Sequence, residues 1–239
     1  MRRFCSVFLF VATLCFVFGF SHSAHAELKY QEKSIEESYL DAIQGKTDID
    51  VGVFDITSEV STVKTDSLYN RSLGIDVEEY STAQILSETV TDKGEVEQLI
   101  AVTVFNDVSL EEAGIGIFAD KGDDKWDSSY GVRAYSRIYY TSSEKNTIKY
   151  ARLNKVTGGW SISDTSIALS SRTVRYGSSG WSSGNQTAVK YPTGNTYSYT
   201  TPSSWTSTAL TGTYAVGTTS EVKLTRRGSS WTLKFVNNL

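Results

Sequence analysis

The chain reads as mainly β: an antiparallel β-sandwich or barrel over residues 126–239, preceded by a smaller acidic α+β segment with one short helix over 27–125. Three observations predict this. Residues 126–239 alternate apolar and polar side chains in short runs, broken by Ser, Thr and Gly clusters at intervals of about 8–12 residues, as a series of short strands would be. The same stretch holds all five tryptophans and ten of the 14 tyrosines. Its charge is also opposite to that of the segment before it. Residues 27–125 carry eight Lys and Arg against 23 Asp and Glu, a net of −15, whereas 126–239 carry 13 against four, a net of +9.

Residues 1–26 have the three parts of a secretory signal peptide. Met1-Arg2-Arg3 is a cationic start, Phe4 to Phe20 an almost unbroken apolar run, and Ala24-His25-Ala26 a small-x-small cleavage site. Cleavage after Ala26 is expected, giving a secreted, extracellular protein. No later segment is long and apolar enough to span a bilayer. Cleavage also removes both cysteines, both histidines and the only methionine. A mature chain without Cys has no disulfide, thiolate nucleophile or thiolate metal site. Without His it lacks the base of a Ser–His or Cys–His pair. No cofactor and no metal are expected, and the fold must be held by its core alone.

In the acidic segment, Ser34-Ile35-Glu36-Glu37 opens a helix with a capping box. Ile35, Tyr39, Ala42 and Ile43 form its apolar face, and Gly45 ends it. Ile49, Val51 and Val53 alternate as a strand within 48–63. Two strands within 82–105 flank Asp92-Lys93-Gly94-Glu95, a hairpin turn in which Gly accepts positive φ. Ile115-Gly116-Ile117-Phe118 is apolar, though interrupted by its glycine. The acid doublets Glu36-Glu37, Glu78-Glu79, Glu111-Glu112 and Asp123-Asp124 read as a solvated surface, because adjacent strand residues face opposite ways. The charged run Asp120 to Asp127 misses the spacing of a calcium loop and reads as a polar linker at a domain boundary.

The basic segment opens with the clearest strand, Tyr130 to Thr141. Val132, Ala134, Ser136, Ile138 and Tyr140 form one face, expected inside; Arg133, Tyr135, Arg137 and Tyr139 form the other, expected outside. That second face interleaves guanidinium groups with phenol rings, which suits an anionic polymer or a sugar. Ser143 to Asn146 is the expected turn into a strand from Asn146 to Leu153. Thr157-Gly158-Gly159 reads as a turn into Trp160-Ser161-Ile162. Ile167 and Leu169, then Val174 and Tyr176, mark further strands, and Ser178 to Gln186 a Ser/Gly loop. Val189, Tyr191, Tyr197 and Tyr199 flank Pro192 to Asn195. The chain closes with a hairpin on Arg226-Arg227-Gly228-Ser229, returning through Trp231, Leu233 and Phe235 at period two. Trp231 and Trp160 are expected in the core. Trp181 and Trp205 lie in polar loops, as ring platforms for sugars, as membrane-interface anchors, or as lids folded back on the sandwich.

Several motifs in this half carry a resemblance. Trp126-Asp127-Ser128-Ser129, Ile138-Tyr139-Tyr140-Thr141, Val156 through Asp164, Pro202-Ser203-Ser204-Trp205 and Ser230 through Leu239 resemble a group of small secreted, cysteine-free, β-rich proteins of Gram-positive bacteria. The resemblance covers 126–239. It implies export and a β fold, and it transfers no activity and no site residues.

The function these readings predict is non-enzymatic binding of an anionic component of a bacterial envelope (cell-wall polymer, lipid or glycan), as a surface-binding factor or a bacteriocin-like antagonist. The candidate binding residues are Arg133, Tyr135, Arg137, Tyr139, Trp181 and Trp205. The acidic segment is then a candidate mask for that surface. Two alternatives stand beside it. A carboxylate-based glycan hydrolase would rely on Asp164 and Glu221, two of only four acids in the basic half. A structural or matrix protein would self-associate. Nucleic-acid binding is not expected, since no RNP-type signature is present.

Overall fold

A computed structural model describes residues 32–63, 74–111 and 131–239. The expected signal peptide, Ile115 to Phe118, the charged run to Asp127, Trp126 and the expected boundary at 125/126 lie outside the described residues.

The acidic segment supplies helix α1 (Ile35–Ile43) and strands β1 (Asp55–Val63), β2 (Gly74–Val90) and β3 (Val96–Glu111). The basic segment supplies β4 (Val132–Lys145), β5 (Ile148–Ile162), β6 (Ala168–Gly180), β7 (Gly184–Lys190), β8 (Thr196–Thr200), β9 (Thr208–Ala209), β10 (Ala215–Arg226) and β11 (Ser229–Asn238). The strands form two antiparallel sheets. One has the order β2-β3-β4-β5-β8, with the short β9 also paired to β5; the other has the order β1-β11-β10-β6-β7. The mainly β, sandwich-like fold is therefore as expected, with its one short helix early in the chain.

Charge and structure divide the chain differently. β3 pairs with β4 from Glu97↔Ser143 to Val108↔Val132, and β1 pairs with β11 along its whole length. Strands of the acidic segment are thus built into both sheets beside strands of the basic one.

Turn chemistry explains most of the connections. Gly94 takes φ 77° in the β2–β3 hairpin, closed by Thr91 N–H donating to Glu95 O at 2.8 Å. Arg227 and Gly228, with φ 48° and 83°, make the two-residue loop between β10 and β11. The β4–β5 loop is Asn146-Thr147, φ 52° and 65°, so β4 runs to Lys145, through most of the expected turn. The Ile167–Leu169 and Val174–Tyr176 runs fall on or beside a single strand, β6, whose pairing with β10 shifts register between Glu221 and Lys223.

Three expectations fail for physical reasons. Ser178 to Gln186 is not a loop: Ser178 pairs with Gln186 and Gly180 with Gly184, so β6 and β7 continue to a short turn at 181–183. Gly158-Gly159 is not a turn, since β5 continues straight through it. The glycines are there because β8 lies against them: a Cβ at Gly158 would run into the Tyr197 side chain, and one at Gly159 would stand 2.7 Å from Asn195 O. Ile49 to Val53 is not a strand either. Asp50 caps a single 3-10 turn, Val51–Val53, by accepting from Gly52 N at 3.0 Å, and β1 starts only at Asp55. Ile49, Val51 and Phe54 still pack on the core.

Helix α1 starts with the expected capping box. Glu37 N donates to Ser34 Oγ and Ser34 N to Glu37 Oε2, both at 3.1 Å. Gly45, φ 69°, follows its end. Its inward face is Ser38 and Ala42 with Tyr39 half-buried, whereas Ile35 is exposed. The segment around the helix closes the outer edge of β2. Lys33 N donates to Leu86 O, Asp48 N to Ala83 O and Ile85 N to the Asp48 carboxylate. An edge covered in this way no longer offers its free amides to another chain.

Between the sheets lie Val132, Ala134, Ile138 and Tyr140 of β4, Trp160 of β5, and Trp231, Leu233 and Phe235 of β11. Asn237 crosses the gap, its Nδ2 donating to Val102 O and Ser136 O at 3.0 Å each. The expected placement of Trp160 and Trp231 in the core is correct.

Candidate binding surface

β4 presents Arg133, Tyr135, Arg137 and Tyr139 on the face away from the other sheet, and the structure buries them. Arg137 is 0% exposed, Arg133 4% and Tyr139 5%, while Tyr135 is half-buried. Period two separated the two faces correctly, but the second face is not solvent. β4 sits in the middle of its sheet and α1 lies over it. Tyr39 of α1 meets Tyr135 at 5.6 Å between ring centroids.

The two arginines are held differently. Arg133 pairs with the carboxylate of Asp107, its direct cross-strand partner. Its guanidinium lies 5.7 Å from the Tyr80 ring and 5.6 Å from that of Phe105. Arg137 forms no ion pair among the described residues. Its Nη1 donates to Thr103 Oγ1 at 2.7 Å and Gln84 Oε1 at 3.2 Å, and its Nη2 to Ser38 Oγ at 2.8 Å. The rings of Tyr39 and Tyr139 stand 5.8 and 5.4 Å from its guanidinium. Burial pulls the Arg137 pKa down from its ordinary value. For Arg133 burial pulls the same way, but the Asp107 carboxylate more than offsets it and the net direction is up. This cluster anchors α1 to the sheet and is closed to a polymer.

Accessible rings gather instead on the flank where β7 and β8 form the edges of the two sheets. A ladder of aromatic contacts runs there from Trp160 through Tyr197, Tyr199 and Tyr176 to Trp205, with centroid separations of 5.5, 5.8, 5.8 and 5.9 Å. Trp160, Tyr197 and Tyr176 are its buried rungs; Tyr199 and Trp205 are half-buried. Two cations cap it. Lys190 Nζ stands 6.0 Å from the Tyr199 ring, and the Arg172 guanidinium 6.0 Å from Trp160, held by Asn195 Oδ1. The ends of β7 add exposed rings, Trp181 at 78% and Tyr191 at 75%, separated by a seven-residue strand of about 23 Å.

Trp205 therefore folds back onto the sandwich, whereas Trp181 stands out from it. The hairpin tip carrying Trp181 is tied to the neighbouring loop. Ser182 Oγ donates to Ser207 O at 3.0 Å and accepts from Ala209 N at 2.7 Å, and Thr206 N donates to Gln186 Oε1 at 2.7 Å. An exposed indole on an ordered tip loses little freedom on binding, which favours contact.

Reading strand by strand missed Tyr199, Lys190 and Arg172, which reach the ladder only because one sheet packs against the other. One signal was present in the sequence: no Asp or Glu occurs between Asp164 and Glu221, while Arg172, Arg175 and Lys190 do.

Asp164 and Glu221 do not form a catalytic pair. The Asp164 carboxylate accepts from Ser166 Oγ at 2.6 Å and meets Arg226 Nη2 at 3.2 Å. The Ser166 hydrogen bonds and Arg226 hold its pKa below the ordinary carboxylate range. Glu221 lies five residues back from Arg226 along β10, about 16 Å of strand, and this odd spacing turns it to the opposite face of the sheet from the Asp164 partner. No group of three or more metal-ligating side chains occurs among the described residues, and none of their helices is long and apolar enough to cross a membrane. Compared with family models, curated proteins and solved structures, the chain matches none.

Proposed function

We propose that this chain is a non-enzymatic binding protein that holds an anionic polymer of a bacterial envelope along its β7–β8 flank. The observation that carries this reading is the ring ladder with Lys190 and Arg172 against it; apart from Trp160, all of these residues fall in an interval of sequence without a single carboxylate. A polymer with ring-shaped units and negative groups would stack on Trp181, Trp205, Tyr199 and Tyr191 and pair its charges with the two cations. The export expected from residues 1–26 would bring the protein to such polymers. Of the six residues first selected, Trp181 and Trp205 belong to this surface, and Tyr199, Tyr191, Lys190 and Arg172 take the place of the buried Arg133, Arg137 and Tyr139 and the half-buried Tyr135.

Co-sedimentation of the full chain with isolated Gram-positive cell walls, before and after teichoic acid is extracted, tests the proposal. Binding is expected at low salt, weaker at high salt as exposed charges are screened, and lost after extraction. Trp181→Ala and Lys190→Glu should each weaken it by roughly five-fold or more, the size of an exposed ring or cation contact of about 1 kcal/mol. Equal sedimentation of both variants with wild type would remove the flank from consideration.

A further inference from the structure

The two sheets part at the end of the sandwich where the β2–β3 and β4–β5 hairpins meet the loop after β9. They leave a cleft of about 690 Å³ lined by Ile85, Ile100, Tyr140, Ile148, Phe54 and Leu210, with Leu210 N donating to Lys149 O at 2.8 Å beside β5. A second space of about 470 Å³ lies between the two hairpin tips and is lined by Glu95, Glu144 and Lys149 among other polar residues. The spaces adjoin, since Gln98, Ser142, Thr147 and Lys149 line both. Gln98 and Ser142 are direct cross-strand partners, so a fixed rung of the sheet frames the junction.

We propose that this pair of spaces is a binding site for a single-chain zwitterionic amphiphile of the lysophospholipid class, its alkyl chain in the inner cleft and its head group between the hairpin tips. The inner space has the volume of a small-molecule site, about 300–1,000 Å³, and its lining mixes the apolar side chains of Ile85, Ile100, Ile148 and Leu210 with polar ones such as Gln98 and Thr211. Removing an alkyl chain from water there is favoured by about 0.8 kcal/mol per methylene. The outer space selects the head group. Lys149 makes no ion pair among the described residues, although Glu144 is its cross-strand partner. One cation and two carboxylates on one rim complement a phosphate joined to an ammonium, the phosphate at Lys149 and the ammonium at Glu95 and Glu144. A purely anionic head would meet the two carboxylates.

This site goes beyond envelope-polymer binding and shares no residue with the ring ladder. Dodecylphosphocholine, kept below its micelle concentration, is the probe. Titrated into the full chain, it should bind saturably with one-to-one stoichiometry by calorimetry. The methyl resonances of Ile85, Ile100, Ile148 and Leu210 should shift together. Leu210→Trp, which narrows the cleft, should weaken binding at least ten-fold, and Lys149→Glu several-fold. Sedimentation with cell walls should be unchanged in both, which separates this site from the flank. Should Leu210→Trp fold poorly, the methyl map of the wild-type chain decides alone. Non-saturating heats, shifts scattered over the surface, or a folded Leu210→Trp variant that binds as wild type would each overturn the proposal.

Discussion

Arg133 and Arg137 are two residues apart on one face of one strand, yet they pose opposite energetic problems. Removing Arg133 takes from the buried Asp107 carboxylate the guanidinium that pairs with it, a loss on the order of 3–5 kcal/mol. Removing Arg137 leaves only neutral groups behind, Thr103 Oγ1, Gln84 Oε1 and Ser38 Oγ, and also abolishes the burial of an unpaired cation. We therefore expect Arg133→Met to lower the urea midpoint strongly. Arg137→Met should shift it much less, or raise it, as buried ionic groups replaced by apolar ones of similar volume often do. Equal losses in the two variants would mean that the neutral acceptors and the Tyr39 and Tyr139 rings hold Arg137 as firmly as a carboxylate holds Arg133. The sequence showed that both arginines share a face with two tyrosines. Which cation would meet a carboxylate depends on the β3–β4 register, which places Asp107 opposite Arg133 and Thr103 opposite Arg137.

Among the elements, those specified by local chemistry were legible and those specified by a distant neighbour were not. The capping box of α1, the Gly94 turn and the Arg227-Gly228 turn satisfy their own backbone groups, and each stands where the residues placed it. The β5 strand is the opposite case. Gly158-Gly159 has the composition of a turn, and nothing within β5 reveals that β8 must lie against it. Gly158→Ala tests this account, because the added Cβ would collide with the Tyr197 side chain and the Tyr135 carbonyl oxygen. A loss of about 1–3 kcal/mol is expected, the scale of overpacking, with faster hydrogen exchange in β8. A glycine serving only as a turn would tolerate alanine without loosening β8. The candidate site follows the same rule. Trp181 and Trp205 were legible as rings in polar loops, but the ladder joining Trp205 to Tyr199 exists only because β6 of one sheet meets β8 of the other at Tyr176.

At the scale of the whole molecule, two oppositely charged segments share both sheets, so the stability of either depends on contacts with the other. The core they build contains phenols that burial keeps neutral, and this fixes how the fold responds to alkali. Burial pushes Tyr197, with its hydroxyl 2.8 Å from Ser220 Oγ, up to about 12, and it does the same to Tyr80. An unfolded tyrosine ionises near 10. Between those values the unfolded chain releases phenolic protons while the folded chain retains them, so the unfolded state binds fewer protons and stability falls as pH rises. Below pH 10 this contribution is present in full. By pH 12 the fully buried Tyr197 alone removes about 2–3 kcal/mol, at 1.36 kcal/mol per pH unit. We expect cooperative unfolding in this window, with the 295 nm phenolate absorbance of the buried tyrosines rising together with the loss of β-sheet circular dichroism. Tyr197→Phe, which keeps the ring and removes the titrating group, should move the transition to higher pH. A phenolate signal that rises near pH 10 in full amplitude while the sheet signal is intact would show that these hydroxyls reach water, and that the two sheets do not enclose them.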